Sequence, residues 1–123
     1  MALDPNFAGF CMAPRSAGGK EASQIIKNSK KPVLLMFHSP ECGHCQEAKP
    51  VLQSVSCPYR DDVEVVSVNV DDAAELADEH KIESIPHIVS FKGGQKVEEQ
   101  VGFDEKGGKE RFQKMFEKLL GDG

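Results

Sequence analysis

The apolar run Val33-Leu34-Leu35-Met36-Phe37 leads almost directly into Cys42-Gly43-His44-Cys45, and an amphipathic segment follows. That order leaves few folds open. Continuous apolar character after Pro32 reads as a strand buried on both faces, as in a sheet sandwiched by helices. Ala48, Val51, Leu52 and Val55 recur at the i, i+3, i+4, i+7 spacing, so the following segment reads as a helix with one apolar face. Pro50 lies inside that pattern and is expected to kink it. Two thiols thus stand where a buried strand turns into a helix. Their spacing lets them bond across one turn, and the amides of a helix start stabilise a thiolate that attacks a disulfide. The pattern points to redox chemistry.

The remaining chain alternates in the same way. Residues 1–19 carry Pro5 and Pro14 among glycines and small residues and read as an irregular leader, with a short edge strand expected near Phe7 to Met12. Residues 20–123 then form the domain. Lys20 to Asn28 reads as a first helix through Ala22, Ile25 and Ile26. Val63 to Val70 has the β-branched density of a second buried strand, and Asp71-Asp72 is expected to cap the helix of Ala73, Leu76, Ala77 and His80. His87 to Phe91 reads as a third strand, Gly93-Gly94 as a hairpin turn, and Gln95 to Val101 as the antiparallel return. Phe112, Met115, Phe116 and Leu119 place a closing amphipathic helix over the sheet.

A chain of 123 residues with 39% hydrophobic content suits one domain with a modest core. Its net charge of -5 and scattered basic residues argue against nucleic acid as a partner. No apolar stretch approaches the roughly 18 residues that span a bilayer, so no membrane partner is expected. Residues 1–20 lack a charged n-region followed by an apolar one, which leads us to expect a cytoplasmic protein, or a secreted, periplasmic or organellar one if a targeting segment has been removed.

The four cysteines do not form an even framework, since Cys11 and Cys57 are isolated from the close pair and from each other. Cys57 falls where the helix after the close pair should end and reads as a buried small hydrophobe, while Cys11 sits in the leader; either could be a regulatory or dimer-forming thiol. His80 on an apolar helix face reads as a packing residue. His87 either points towards the dithiol or opens its strand at the surface. A zinc site on Cys42, Cys45, His44 and His38 lacks a second close ligand pair, and haem attachment is excluded because Gln46 stands where a histidine is required. No metal and no cofactor is therefore expected.

Element order and motifs together resemble the thioredoxin superfamily over roughly residues 20–120. The resemblance rests on the strand before Cys42-Gly43-His44-Cys45, on Pro50 five residues after Cys45, and on Ser84-Ile85-Pro86, Phe91-Lys92-Gly93-Gly94 and Val101-Gly102. It implies an α/β thioredoxin fold, a central mixed sheet flanked by helices on both faces. It implies a cis proline at Pro86 facing the dithiol, a peptide-pairing edge at Ile85, and a glycine at Gly102 that keeps the substrate groove open. It also implies thiol-disulfide exchange with protein disulfides or dithiols, Cys42 attacking and Cys45 resolving, with an external reductase or oxidant supplying or taking electrons. A monomer is expected.

Departures from the family's pattern carry their own information. Gly43-His44 is similar to the pair in protein disulfide isomerase domains, where thioredoxins usually carry Gly-Pro, and a protonated His44 would stabilise the Cys42 thiolate. Glu41 replaces the usual tryptophan and should oppose that effect. The resulting poise is expected to be more oxidising than that of a typical thioredoxin. Relatives usually bury an acid six positions before the first cysteine, often with a lysine on the neighbouring strand; Met36 and Ser67 occupy those places here. Losing both together avoids leaving one buried charge unpaired. The proton acceptor for Cys45 is then water, Glu41 or His38. A binding module that keeps the fold with little turnover is the alternative, and a zinc-binding protein a more remote one.

Overall fold

A computed structural model describes residues 15–104 and 106–121. The expected strand near Phe7 to Met12, and Cys11 itself, lie outside the described residues. Among the described residues, five strands form one sheet in the order β1-β3-β2-β4-β5. They are β1 (Arg15–Ser16), β2 (Val33–His38), β3 (Glu64–Asn69), β4 (His87–Lys92) and β5 (Gln95–Val101), interleaved with helices α1 (Gly19–Asn28), α2 (Gly43–Ser56), α3 (Ala74–Glu79) and α4 (Gly108–Gly121). Strand β3 runs parallel to both β1 and β2, whereas β4 is antiparallel to β2 and β5. No described helix is long and apolar enough to cross a membrane.

All six residues of β2 are buried, as a strand covered on both faces requires. Alternation sends its side chains into two cores. Leu34 and Met36 join Cys45, Ala48 and Leu52 of α2, Ile88, and Phe112, Met115 and Phe116 of α4. Leu35 and Phe37 join Ala22 and Ile26 of α1, Leu76 and Ala77 of α3, Val89 and Phe91 on the other face. The sheet is thus mixed and flanked by helices on both sides.

Several local details differ from the expectations. Arg15 and Ser16, within the stretch read as irregular, pair with Val66 and Ser67 as an edge strand. Helix α2 carries Pro50 inside its span, where the pattern placed it. Asp71 and Asp72 sit in a 3-10 turn, Val70–Asp72, and do not cap α3; Asn69 Oδ1 instead accepts from the Asp71 amide at 2.9 Å, and Ala73 begins α3 with no side-chain cap. Proximity to the strand end explains this, because Asn69 is the last extended residue and its short amide reaches the turn that follows. The β4–β5 hairpin turns on Gly93 and Gly94, with φ of 62° and 82°, a left-handed pair that disfavours side chains.

Candidate active site

Strand β2 ends at His38, and Ser39 to Glu41 turn the chain so that Cys42 becomes the N-cap of α2. The Cys45 amide donates to Cys42 Sγ at 3.1 Å. Two sulfurs at this helix start are bonded as a disulfide between Cys42 and Cys45, whose Cα atoms are 5.2 Å apart. Their environments differ sharply. Cys42 is half-buried, whereas Cys45 is fully buried against Met36 and the α2–α4 core. Solvent and partners therefore reach Cys42 first.

The β4 entry closes over this pair. The Ile85–Pro86 bond is cis, and the Ile85 carbonyl oxygen lies 3.7 Å from Cys42 Sγ. The Pro86 carbonyl accepts from the Gly102 amide at 2.7 Å, and Gly102 takes φ of 81°, which a side chain would resist. Gly102 is followed outward by open space where a Cβ would stand. Ile85 thus stands beside Cys42, and Gly102, with exposed Val101 before it in the chain, is tied to the cis Pro86 that follows Ile85. Gly43 is exposed in the first turn of α2.

The residues expected to tune the thiols are arranged less simply. His44 is 73% exposed and its Nδ1 lies 3.2 Å from Glu47 Oε1, so the imidazole is drawn along the helix towards a carboxylate. Glu41 is exposed, its amide donating to Ser39 Oγ at 3.3 Å. Met36 and Ser67 are direct partners in the β2–β3 register, so the two departures stand side by side. His38 follows on the same face as Met36 by strand alternation. It is only 6% exposed, neither ring nitrogen has a hydrogen-bond partner among the described residues, and it borders a cleft of about 350 Å³ with Ser67, Asn69 and Asp72. Burial first, then the charge of Lys49, holds its pKa below the ordinary histidine value.

Neither expectation for His87 describes its place. Its register partner is Phe37, so it points to the α1–α3 face, away from the sulfurs, yet it is only 5% exposed. Its Nε2 meets Glu99 Oε2 at 2.7 Å, a partner that only the β4–β5 register reveals. His80 packs between Phe37 and Phe91 at ring distances of 6.1 and 5.5 Å. Cys57, in the turn after α2, is buried and disulfide-bonded, so it is not the inert thiol its place at a helix end implied. Among the described residues, no group of three or more His, Cys, Asp or Glu side chains could hold a metal ion.

Comparison with known proteins gives the arrangement its context. A family model described as thioredoxin matches residues 16–116. Thioredoxin 1 of Nostoc sp. is 40% identical over 79 residues, which cover 64% of this chain and 74% of that one. A thioredoxin-like protein of Synechocystis sp. is 32% identical over 102 residues, covering 83% and 86%. Among solved structures, a thioredoxin from Malassezia sympodialis superposes with a TM-score of 0.72 at 27% identity, over 83% of this chain and 90% of that one. Thioredoxin from Halobacterium salinarum, in a mutant form, gives 0.74 at 24% identity over 97% and 96%, a likeness of fold. With a helix-capping CxxC pair and a family match over residues 16–116, the chain belongs to the thioredoxin family and is a thiol-disulfide oxidoreductase.

Proposed function

We propose that this protein exchanges disulfides with protein substrates through Cys42 and Cys45, at a poise more oxidising than that of a typical thioredoxin. The observation that carries the reading is the asymmetry of the pair: Cys42 caps α2 beside the Ile85 carbonyl, and Cys45 lies wholly behind it. In the reducing direction the Cys42 thiolate attacks one sulfur of a substrate disulfide, and the other sulfur leaves as a thiolate that takes a proton. Cys45 loses its proton and attacks Cys42 Sγ, releasing the second substrate thiolate and closing the Cys42–Cys45 disulfide. Two electrons have moved to the substrate, whose two thiolates take up the proton lost by Cys45 and one from solvent, and an external dithiol reductase must return the electrons to the Cys42–Cys45 disulfide. Oxidation of a substrate dithiol is the same path reversed.

An extended substrate segment pairs along Ile85, which offers its backbone beside Cys42, while Pro86 has no N–H to compete for that segment. The poise follows from charge near the sulfurs. Met36 brings no negative charge against Cys45, and His44 lies one residue from Cys42's neighbour Gly43; both favour the thiolate form and hence a stronger oxidant. Glu41 and Glu47 oppose this from exposed positions where solvent screens them.

Incubation with insulin tests the exchange. Cys45→Ser should accumulate a mixed disulfide with insulin, which dithiothreitol reverses, and Cys42→Ser should form none. Exchange surviving in Cys42→Ser would refute the mechanism, and equilibration with glutathione at a thioredoxin-like potential would refute the poise. A binding module with little turnover would bind client peptide yet fail to reduce insulin.

A further inference from the structure

The structure holds an unexplained polar contact one residue from the substrate edge. His87 follows Pro86 directly, and its side chain is only 7% exposed. Glu99 Oε2 accepts from its Nε2 at 2.7 Å, which places a ring proton on that nitrogen; Nδ1 has no hydrogen-bond partner among the described residues. Lys96 Nζ donates to the other oxygen, Glu99 Oε1, at 2.9 Å. Glu99 is therefore held at both ends of its carboxylate. Buried beside Phe37, the imidazole carries a desolvation cost that an apolar side chain would not, and the bond to Glu99 offsets part of it.

Pro86 explains why a brace is needed there. Its nitrogen carries no proton, so the segment entering β4 lacks one ladder bond and is tied on this side through the Pro86 carbonyl to Gly102. Beyond it, Ile85 must hold its carbonyl 3.7 Å from Cys42 Sγ for an incoming strand to register against the reactive sulfur. The His87–Glu99 bond spans β4 and β5 diagonally, reaching two residues along β5 from Val101, with which His87 pairs.

Building on the exchange reaction proposed above, we propose that His87 is a positioning residue: clamped by Glu99 and Lys96 from β5, it holds the Ile85–Pro86 edge in register for extended protein substrates. It never touches the sulfurs. Its contribution therefore lies in binding the substrate chain, and small reagents that need no backbone pairing are blind to it.

Glu99→Ala is the informative variant, because Glu99 is 37% exposed on an edge strand and its removal leaves the core intact. The KM for insulin should rise roughly two- to tenfold, the worth of one hydrogen bond, with kcat little changed. Alkylation of reduced Cys42 by iodoacetamide should proceed at the parent rate. Glu99→Gln keeps an acceptor oxygen for Nε2 and should restore most of the lost KM. An unchanged KM in Glu99→Ala would overturn the proposal, as would a parallel fall in kcat and alkylation rate, or a Glu99→Gln variant as impaired as Glu99→Ala. If the parent itself failed to reduce insulin, the exchange reaction would be at fault and not the brace.

Discussion

Placing aspartate at Met36 probes how this chain manages without a buried charge beside its inner thiol. Met36 is fully buried in the α2–α4 core with Cys45, and its register partner on β3 is Ser67. Met36→Asp loses about 2–3 kcal/mol of apolar burial and leaves an unpaired carboxylate costing about 3–5 kcal/mol, together about 5–8 kcal/mol. That is comparable with the whole stability of a small domain, about 5–15 kcal/mol. Ser67→Lys alone should cost far less, because Ser67 borders the cleft of about 350 Å³ into which a lysine can extend. Combining the two should recover about 1–3 kcal/mol, since the new charges are cross-strand neighbours. Urea unfolding of the oxidised proteins measures all four corners of this cycle. The single aspartate variant also acquires a pH signature. Burial raises its folded pKa above the unfolded value of about 3.9, so its stability is greatest in acid and falls as pH rises from there to the folded pKa. Additivity within about 0.5 kcal/mol would refute the argument that these two positions were vacated as a pair.

Acid should destabilise the parent earlier than its carboxylates alone would. Burial holds the pKa of His38 and of His80 below the ordinary value, so the unfolded chain takes up protons first; stability is level above about pH 6.5 and declines below it. Urea midpoints at pH 7.5 and 5.0 measure the decline, which His38→Phe should lessen, and equal parent midpoints would contradict the reading. Glu47→Gln removes the carboxylate that holds His44 and should make the couple more oxidising by less than about 20 mV, because exposed pairs are worth about 0.2–1 kcal/mol. Equilibration with glutathione detects that shift, and a more reducing variant would refute the reading that the Glu47 carboxylate opposes the Cys42 thiolate.

Much of the site could be read along the chain because its determinants are local. Cys42 and Cys45 are three residues apart, the strand before them is marked by five apolar residues, and Gly93-Gly94 names its own turn. The same locality explains the limits. Arg15–Ser16 is too short to show a period, and it becomes a strand only because Val66 and Ser67 offer a parallel edge. Asp71-Asp72 looks like a cap by composition, yet Asn69 reaches the turn first. His87 was ambiguous because its partner is twelve residues away, and a shift of the hairpin register by one residue would send the two side chains to opposite faces. The pairing of His44 with Glu47 was legible in principle as an i, i+3 contact on α2.

The two cores divide labour in a way that follows from strand alternation. On the α2–α4 face Cys45 packs with apolar side chains, and the Cys45 N–H at the head of α2 donates to Cys42 Sγ. On the opposite face His80, His87 and Glu99 lie close enough to influence one another electrostatically. Lys96 first, then His87, holds the Glu99 carboxyl below its ordinary value, so that group stays ionised and its grip on His87 persists at any pH where a thiolate could form. Strand β4 links the two layers, because Ile88 faces the sulfurs' core while His87 faces the other. On the exchange reaction and the brace proposed above, substrate registration and sulfur reactivity should vary independently: changes around Glu99 should act on the KM for a protein substrate, and changes around Met36 on the thiols.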